Sequence, residues 1–230
     1  MIIVKELQKE YDNTVVLDIP HLNIIKGQNV GLVGNNGAGK STLLQLVLDL
    51  LEPSKGSIAI NTTNVSLSED WKNHTGSFLN ERFLIPYLTP IEYIEFIGKL
   101  HGMNKKDIEE VLLEFSDFFN FSDKKKTLIR DLSAGNRNKI GIIGAFIGNP
   151  SLILFDEPFS FLDPSSQSWL KRKLNTLSLK GVTMLISSHD LQHITEISNR
   201  IVLIEKGIII QDMETNLDTL KVLEGYFNVY

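Results

Sequence analysis

Eight residues constrain the fold more than any other part of the chain. Gly34-Asn35-Asn36-Gly37-Ala38-Gly39-Lys40-Ser41 follows the pattern G-x-x-x-x-G-K-S, between a short apolar run, Asn29–Val33, and a stretch of helical spacing, Lys40–Leu51. Glycines in a strand-to-helix turn let the backbone wrap with successive N–H groups facing inward, a concavity that fits phosphate oxygens. The helix that follows adds unpaired first-turn amides and the positive end of its dipole. In this reading Gly34, Asn35, Asn36, Gly37, Ala38 and Gly39 form the phosphate cradle. Lys40 reaches the β- and γ-phosphates of a nucleotide, Ser41 gives a hydroxyl to Mg²⁺, and Thr42 adds a hydrogen bond to the α-phosphate. A glycine-rich turn with an incidental lysine is the weaker reading, because strand and helix stand where the mechanism needs them.

Two more apolar runs, Leu152–Phe155 and Val182–Ser187, read as strands buried on both faces. Ser165–Leu179 has helical spacing and follows Asp163-Pro164, a capping residue and then proline at the first helical position. Strands alternating with helices indicate an α/β domain with a largely parallel sheet. The first twenty-five residues instead suggest short antiparallel strands, Ile2–Leu7 and Val15–Ile19, joined by the polar hairpin Tyr11-Asp12-Asn13-Thr14. From about residue 83 to 147, Pro90–Leu100, Lys105–Phe119 and Ala134–Ile147 look helical. The expectation is one domain over residues 1–230, with a helical subdomain inserted at about 83–147.

A phosphate loop needs a carboxylate to hold Mg²⁺ and a group to position water. Asp156-Glu157 emerges at the C-terminal end of the strand Leu152–Phe155, the end at which open α/β sheets bind ligands. Asp156 is assigned to Mg²⁺, through water, and Glu157 to the general base that orients the attacking water.

With these motifs placed, the chain resembles the nucleotide-binding cassettes of ATP-binding cassette (ABC) proteins, nearly end to end. Leu132-Ser133-Ala134-Gly135-Asn136 looks like the family signature, usually L-S-G-G-Q; Ser160-Phe161-Leu162-Asp163 looks like its D-loop; His189 falls at its switch histidine and Tyr11 at the aromatic that stacks on adenine. The resemblance implies a P-loop NTPase (RecA-like) core with a small N-terminal antiparallel β subdomain and an inserted α-helical subdomain. It implies that ATP and Mg²⁺ are bound and that Lys40, Glu157 and His189 serve hydrolysis. It also implies a head-to-tail pair of cassettes, in which Ser133 and the Gly135 amide of one contact the γ-phosphate held by the other.

Two departures from the family pattern stand out. The signature carries Ala134 for the first Gly and Asn136 for the final Gln, while Gly135 is kept. In the Q-loop, Gly76-Ser77-Phe78-Leu79-Asn80-Glu81 puts Asn80 where the family has a metal-touching Gln, with Glu81 as the fallback. Other features read more plainly. His189 and His193 have the spacing of a zinc-protease helix, but Asp190 stands where such sites use Glu. His21, His74 and His101 read as surface or packing residues, and Phe115, Phe118, Phe119 and Phe121 as core.

Composition narrows the task. The net charge is −5, which argues against a nucleic-acid partner, and no cysteine is present for disulfides or thiolate metal sites. No apolar run approaches the roughly 18 residues of a membrane span. The expectation is therefore a cytoplasmic ATPase subunit of an ABC transporter, held to the inner face of the membrane through a separate transmembrane permease. The permease docks near Asn80–Tyr87. The stretch from Leu88 to Gly102 is similar to cassettes with exporter-type permeases, and the chain ends soon after Asp212, short for the regulatory domain that many importer ATPases append. The alternative is a soluble ABC ATPase without a transporter, as in iron–sulfur cluster assembly.

Overall fold

Polar residues interrupt the apolar pattern near both ends of the chain, and the sheets there are antiparallel; in the middle the pattern is unbroken and the sheet is parallel. The structure, a computed structural model, describes residues 1–228. β1 (Ile2–Tyr11) and β2 (Thr14–Ile24) pair antiparallel, and β4 (Lys55–Ile60) with the short β5 (Thr63–Asn64) completes a sheet of order β2-β1-β4-β5. β1 and β2 run longer than the apolar runs Ile2–Leu7 and Val15–Ile19. The ladder is made by backbone groups, so pairing continues through Gln8–Tyr11 on one strand and His21–Ile24 on the other.

β3 (Asn29–Val33), β7 (Leu152–Asp156) and β8 (Thr183–Ser188) form the middle of a second sheet, of order β10-β9-β3-β8-β7-β6. β6 (Thr75–Phe78) pairs parallel with β7, and β9 (Arg200–Glu205) parallel with β3; β10 (Ile208–Glu214) folds back antiparallel on β9. β3 and β8 are buried at every residue, as expected where both faces are covered.

α1 (Lys40–Val47) follows β3. It stops four residues before Leu51 because Asp49 takes a left-handed backbone, φ +53°, that ends the helix. α2 (Pro90–Leu100) starts in a capping box, Thr89 with Glu92, and α3 (Lys105–Glu114) in another, Asn104 with Asp107. α3 ends at Glu114 rather than Phe119. Phe115, Phe118 and Phe119 follow as a turn and are all buried, with Phe118 stacked on Trp169 at 4.6 Å and Phe115 on Phe146 at 5.7 Å. Each such ring contributes about 1.5–3 kcal/mol by burial, so aromatic packing outweighs helical spacing here. α4 (Ala134–Phe146) leads back into β7. α5 (Pro164–Leu179) is capped by Asp163, α6 (Leu191–Ile197) follows β8, and α7 (Thr219–Asn228) ends the described chain.

Two apolar clusters fill the interior. One holds α1, the inner face of the antiparallel sheet and residues such as Val30, Leu154 and Leu185. The other joins α2–α4, which fall between β6 and β7, to Ile153, Phe155, Ile186 and Leu203. Alternate residues of the parallel strands thus face the two clusters, which fixes the strand ends that carry the site.

Candidate functional site

The glycine loop turns where bulk would not fit. A Cβ on Gly34 would stand 2.2 Å from the Ile204 carbonyl oxygen of β9, so the backbone of the loop lies directly on that strand. Gly39, at φ +109°, is the cap residue of α1, and no side chain caps it. The first-turn amides of α1 therefore face the loop as donors for an anion. From behind, the β9–β10 turn clasps the loop: Gly207 N–H donates to the Ala38 carbonyl at 2.9 Å, and Asp18 N–H of β2 donates to the Gly207 carbonyl at 2.8 Å. Lys40 is buried, with Nζ donating to the Gly34 carbonyl at 2.6 Å and the Asn35 carbonyl at 3.2 Å. Burial pushes its ammonium below the usual lysine range, with Glu157 and then Asp156 pulling the other way.

Parallel pairing of β7 and β8 sets Asp156 opposite Ser187. The Ser187 hydroxyl donates to Asp156 Oδ1 and accepts from the Glu157 backbone N–H at 3.0 Å. Glu157 takes a left-handed backbone, φ +50°. Its Oε1 stands 3.9 Å from Lys40 Nζ, while Oε2 accepts from the His189 backbone N–H at 3.2 Å and faces His189 Nδ1 at 2.7 Å. Lys40, Asp156, Glu157 and His189, read from separate segments of the sequence, are thereby brought together. Ser187 was missed in the sequence; its signal was a run of three polar residues, Ser187-Ser188-His189, at a strand end beside the carboxylate strand.

Two clefts meet at the carboxylates. The first, of about 330 Å³, is lined by Tyr11, the loop from Asn35 through Lys40, Ser41 and Thr42, and Asp156 with Glu157. Tyr11 is half exposed, and Lys9 Nζ lies 4.9 Å over its ring. The second, of about 440 Å³, shares Asp156 and Glu157 and adds Asn80, Glu81, Ala134 and Phe161. Asn80 Oδ1 accepts from Arg82 N–H at 3.0 Å, capping the short turn Glu81–Phe83, and Arg137 Nε donates to Glu81 Oε2 at 2.5 Å. Asn80 thus shares a cleft with Asp156, but its side-chain oxygen already holds a backbone amide.

Ser133 and Gly135 are not brought to Lys40 within one chain; neither lines the first cleft. Ser133 caps α4, accepting from Asn136 N–H at 3.4 Å, and is exposed. Gly135 lies against the loop after Glu157, where a Cβ would stand 2.6 Å from the Phe161 carbonyl oxygen. Of the zinc-spaced pair, the His193 ring packs edge-on against Phe159, with centroids 4.9 Å apart, while His189 faces Glu157. Trp71 is buried in the core, donating to the Val65 carbonyl at 3.2 Å, and does not line the first cleft. His21, His74 and His101 are exposed. The donors beside the loop, a hydroxyl on Ser41 and a carboxylate on Asp156, are hard oxygens of the kind Mg²⁺ takes.

This arrangement of loop, sheet and helices is a P-loop NTPase fold. Residues 17–160 match the profile of the ABC transporter family. The chain is 32% identical over 207 residues to an uncharacterized ABC transporter ATP-binding protein, YhaQ, of Bacillus subtilis (strain 168), covering 90% of this chain and 69% of the relative. It is 30% identical over 210 residues to the SkfA peptide export ATP-binding protein SkfE of the same organism, covering 91% and 87%. A solved ATP-binding subunit of an ABC transporter superposes with a TM-score of 0.84 at 27% identity, over 98% of this chain and 93% of that one. The chain belongs to the ABC transporter family, among its ATP-binding subunits. No helix among the described residues is long and apolar enough to cross a membrane.

Proposed function

We propose that this chain binds ATP with Mg²⁺, hydrolyses it, and thereby powers transport through a separate membrane permease. The observation that carries this reading is the convergence of Lys40, Asp156, Glu157 and His189 on the N-terminus of α1. Tyr11 stacks on the adenine, and the loop from Gly34 to Thr42 receives the phosphates, with Lys40 turning from its carbonyl partners to the β- and γ-phosphates. Ser41, Asp156 and Asn80 are the residues that would hold Mg²⁺, which when bound supplies positive charge against the phosphate oxygens. Glu157 accepts a proton from the attacking water while His189 hydrogen-bonds the γ-phosphate.

A second cassette completes the site. Ser133 and Gly135, exposed or half-buried and away from their own loop, donate to the γ-phosphate of the partner's ATP in a head-to-tail pair, and hydrolysis removes what they hold. The chain acts as one domain, 1–230, in which about 83–147 is an inserted helical subdomain that moves with the nucleotide. A groove of about 280 Å³ lined by Leu50, Trp71, Lys72, Phe83, Leu84 and Tyr93, mixed in polarity, supports docking of a permease segment there. Such docking places the chain on the cytoplasmic face of the membrane. Export is the direction favoured by the stretch Leu88–Gly102 and by the name of SkfE, although a relative at 29% identity, MetN of Carboxydothermus hydrogenoformans, is named for methionine import.

The test is an affinity pull-down of the Glu157→Gln variant with ATP, from detergent-solubilised membranes and from the soluble fraction of the native cells. Near-stoichiometric recovery of a polytopic membrane protein supports the transporter reading. A soluble complex without a membrane component overturns it and favours the non-transport alternative.

A further inference from the structure

We propose that Asn138 is a positioning residue for hydrolysis, whose side-chain amide ties the signature helix to the loop that follows Glu157. The inference deepens the reading above and rests on it. Asn138 lies on α4, one turn beyond Ser133 and Gly135, and is buried. Its Nδ2 donates to the Pro158 carbonyl at 3.0 Å and to the Ser160 carbonyl at 2.7 Å. Both hydrogens of one amide are thus spent on two carbonyls of a single loop, which is the full donor capacity of the group.

The place of those two bonds gives them their role. Glu157 and Phe161 both take left-handed backbones, φ +50° and φ +63°, which non-glycine residues hold only when their surroundings fix them. Pro158 and Ser160 lie between the two. Neighbouring contacts join the same elements: the Gly135 backbone leans on the Phe161 carbonyl, and Lys139 Nζ donates to Asp163 Oδ2 at 2.9 Å. In a head-to-tail pair, the start of α4 holds the partner's nucleotide while Glu157 serves this chain's own. Asn138 therefore links the two sites of the pair: a shift of α4 on gaining or losing a γ-phosphate is passed to the backbone that aims Glu157. Asn138 touches no reacting atom.

The test uses the full chain with Asn138→Leu, which keeps the branched shape without donors, and Asn138→Gln, which keeps donors one methylene further out. Steady-state ATP turnover, the Hill coefficient for ATP, binding of a fluorescent ATP analogue and the thermal midpoint are measured for each. The expected result for Asn138→Leu is at least a tenfold loss of kcat and a Hill coefficient falling toward 1, with KM and analogue affinity within about twofold of wild type. Asn138→Gln is expected to lie between. If Asn138→Leu does not fold, Asn138→Ser is expected to show the same split between kcat and KM. Wild-type kcat in Asn138→Leu or in Asn138→Ser, or losses confined to the thermal midpoint, overturns the proposal. A wild type no faster than Glu157→Gln overturns the catalytic reading itself, and this proposal with it.

Discussion

His189 Nδ1 lies 2.7 Å from Glu157 Oε2, and the His189 backbone N–H donates to the same oxygen at 3.2 Å. The histidine is therefore oriented by the carboxylate it works beside. A ring that donates from Nδ1 to Glu157 has only Nε2 left for a phosphate oxygen, and it donates to both only when doubly protonated. The two residues form one unit, which the separate roles read from the sequence did not anticipate.

Replacing Glu157 by Gln keeps the shape of the side chain and removes the carboxylate proposed as the base. ATP binding is expected to persist while kcat falls by about 10²–10⁴-fold. ATP should then trap a dimer on size-exclusion chromatography. Turnover at the wild-type rate would place the base elsewhere.

His189→Ala is expected to lower kcat at least tenfold with little change in ATP affinity. Because the pair acts together, the double variant Glu157→Gln/His189→Ala should be no slower than Glu157→Gln alone. Additive losses would show two independent roles.

Lys40→Ala should cost roughly 1.5–3 kcal/mol of ATP binding, the scale of a hydrogen bond to a charged group, or about ten- to a hundredfold in Kd. Its ammonium is disfavoured by burial in the ligand-free fold, so stability without ATP should change little. Calorimetric titration and the thermal shift on adding ATP measure the two effects separately. An unchanged Kd would contradict the phosphate-loop reading.

Gly135→Ala brings a methyl to within 2.6 Å of the Phe161 carbonyl oxygen. Overpacking of this kind costs about 1–3 kcal/mol. Denaturant unfolding should show the loss, and turnover should fall with it because the displaced loop carries Glu157 at its start. Equal stability and rate would mean that the loop yields freely.

Asp163 caps α5, accepting from Ser166 N–H at 2.9 Å, and Asp163→Ala should cost about 1 kcal/mol. Hydrogen bonds from Ser165, then Lys139 and Ser166, hold its carboxyl well below the ordinary value of 3.8. A lowered carboxyl stabilises the fold fully above its unfolded value and loses that contribution as pH falls below it. The gap between wild type and variant should hold from pH 7 to about 4 and shrink in more acid solution. A gap independent of pH down to 2 would show that the charge contributes nothing.

Most of the candidate site was legible because its residues fall in short contiguous runs of the sequence. The loop Gly34–Ser41 and the pair Asp156-Glu157 are contiguous, and the strands before them are unbroken apolar runs. Other parts were hidden for physical reasons. β6, β9 and β10 pair through backbone atoms, and short strands of mixed character such as Thr75–Phe78 carry little periodic signal. The phenylalanines after Glu114 kept helical spacing while packing as a turn, since burial of rings decides over propensity. Asn138 was invisible for a different reason: its partners are loop carbonyls 20 and 22 residues further along the chain, and no residue-type pattern announces a backbone acceptor.

The tip of a hairpin is ordinarily where a chain gains or loses residues at small cost. The Lys206–Gly207 turn is no such place, because its amide and carbonyl are both committed, one to the glycine loop and one to β2. A Cβ on Gly207 would stand 2.3 Å from the Val16 carbonyl oxygen, which leaves no slack for a larger residue. An epitope tag, a single inserted residue or a protease cut at this tip would unlatch the nucleotide cradle from outside while every side chain that meets ATP stayed intact.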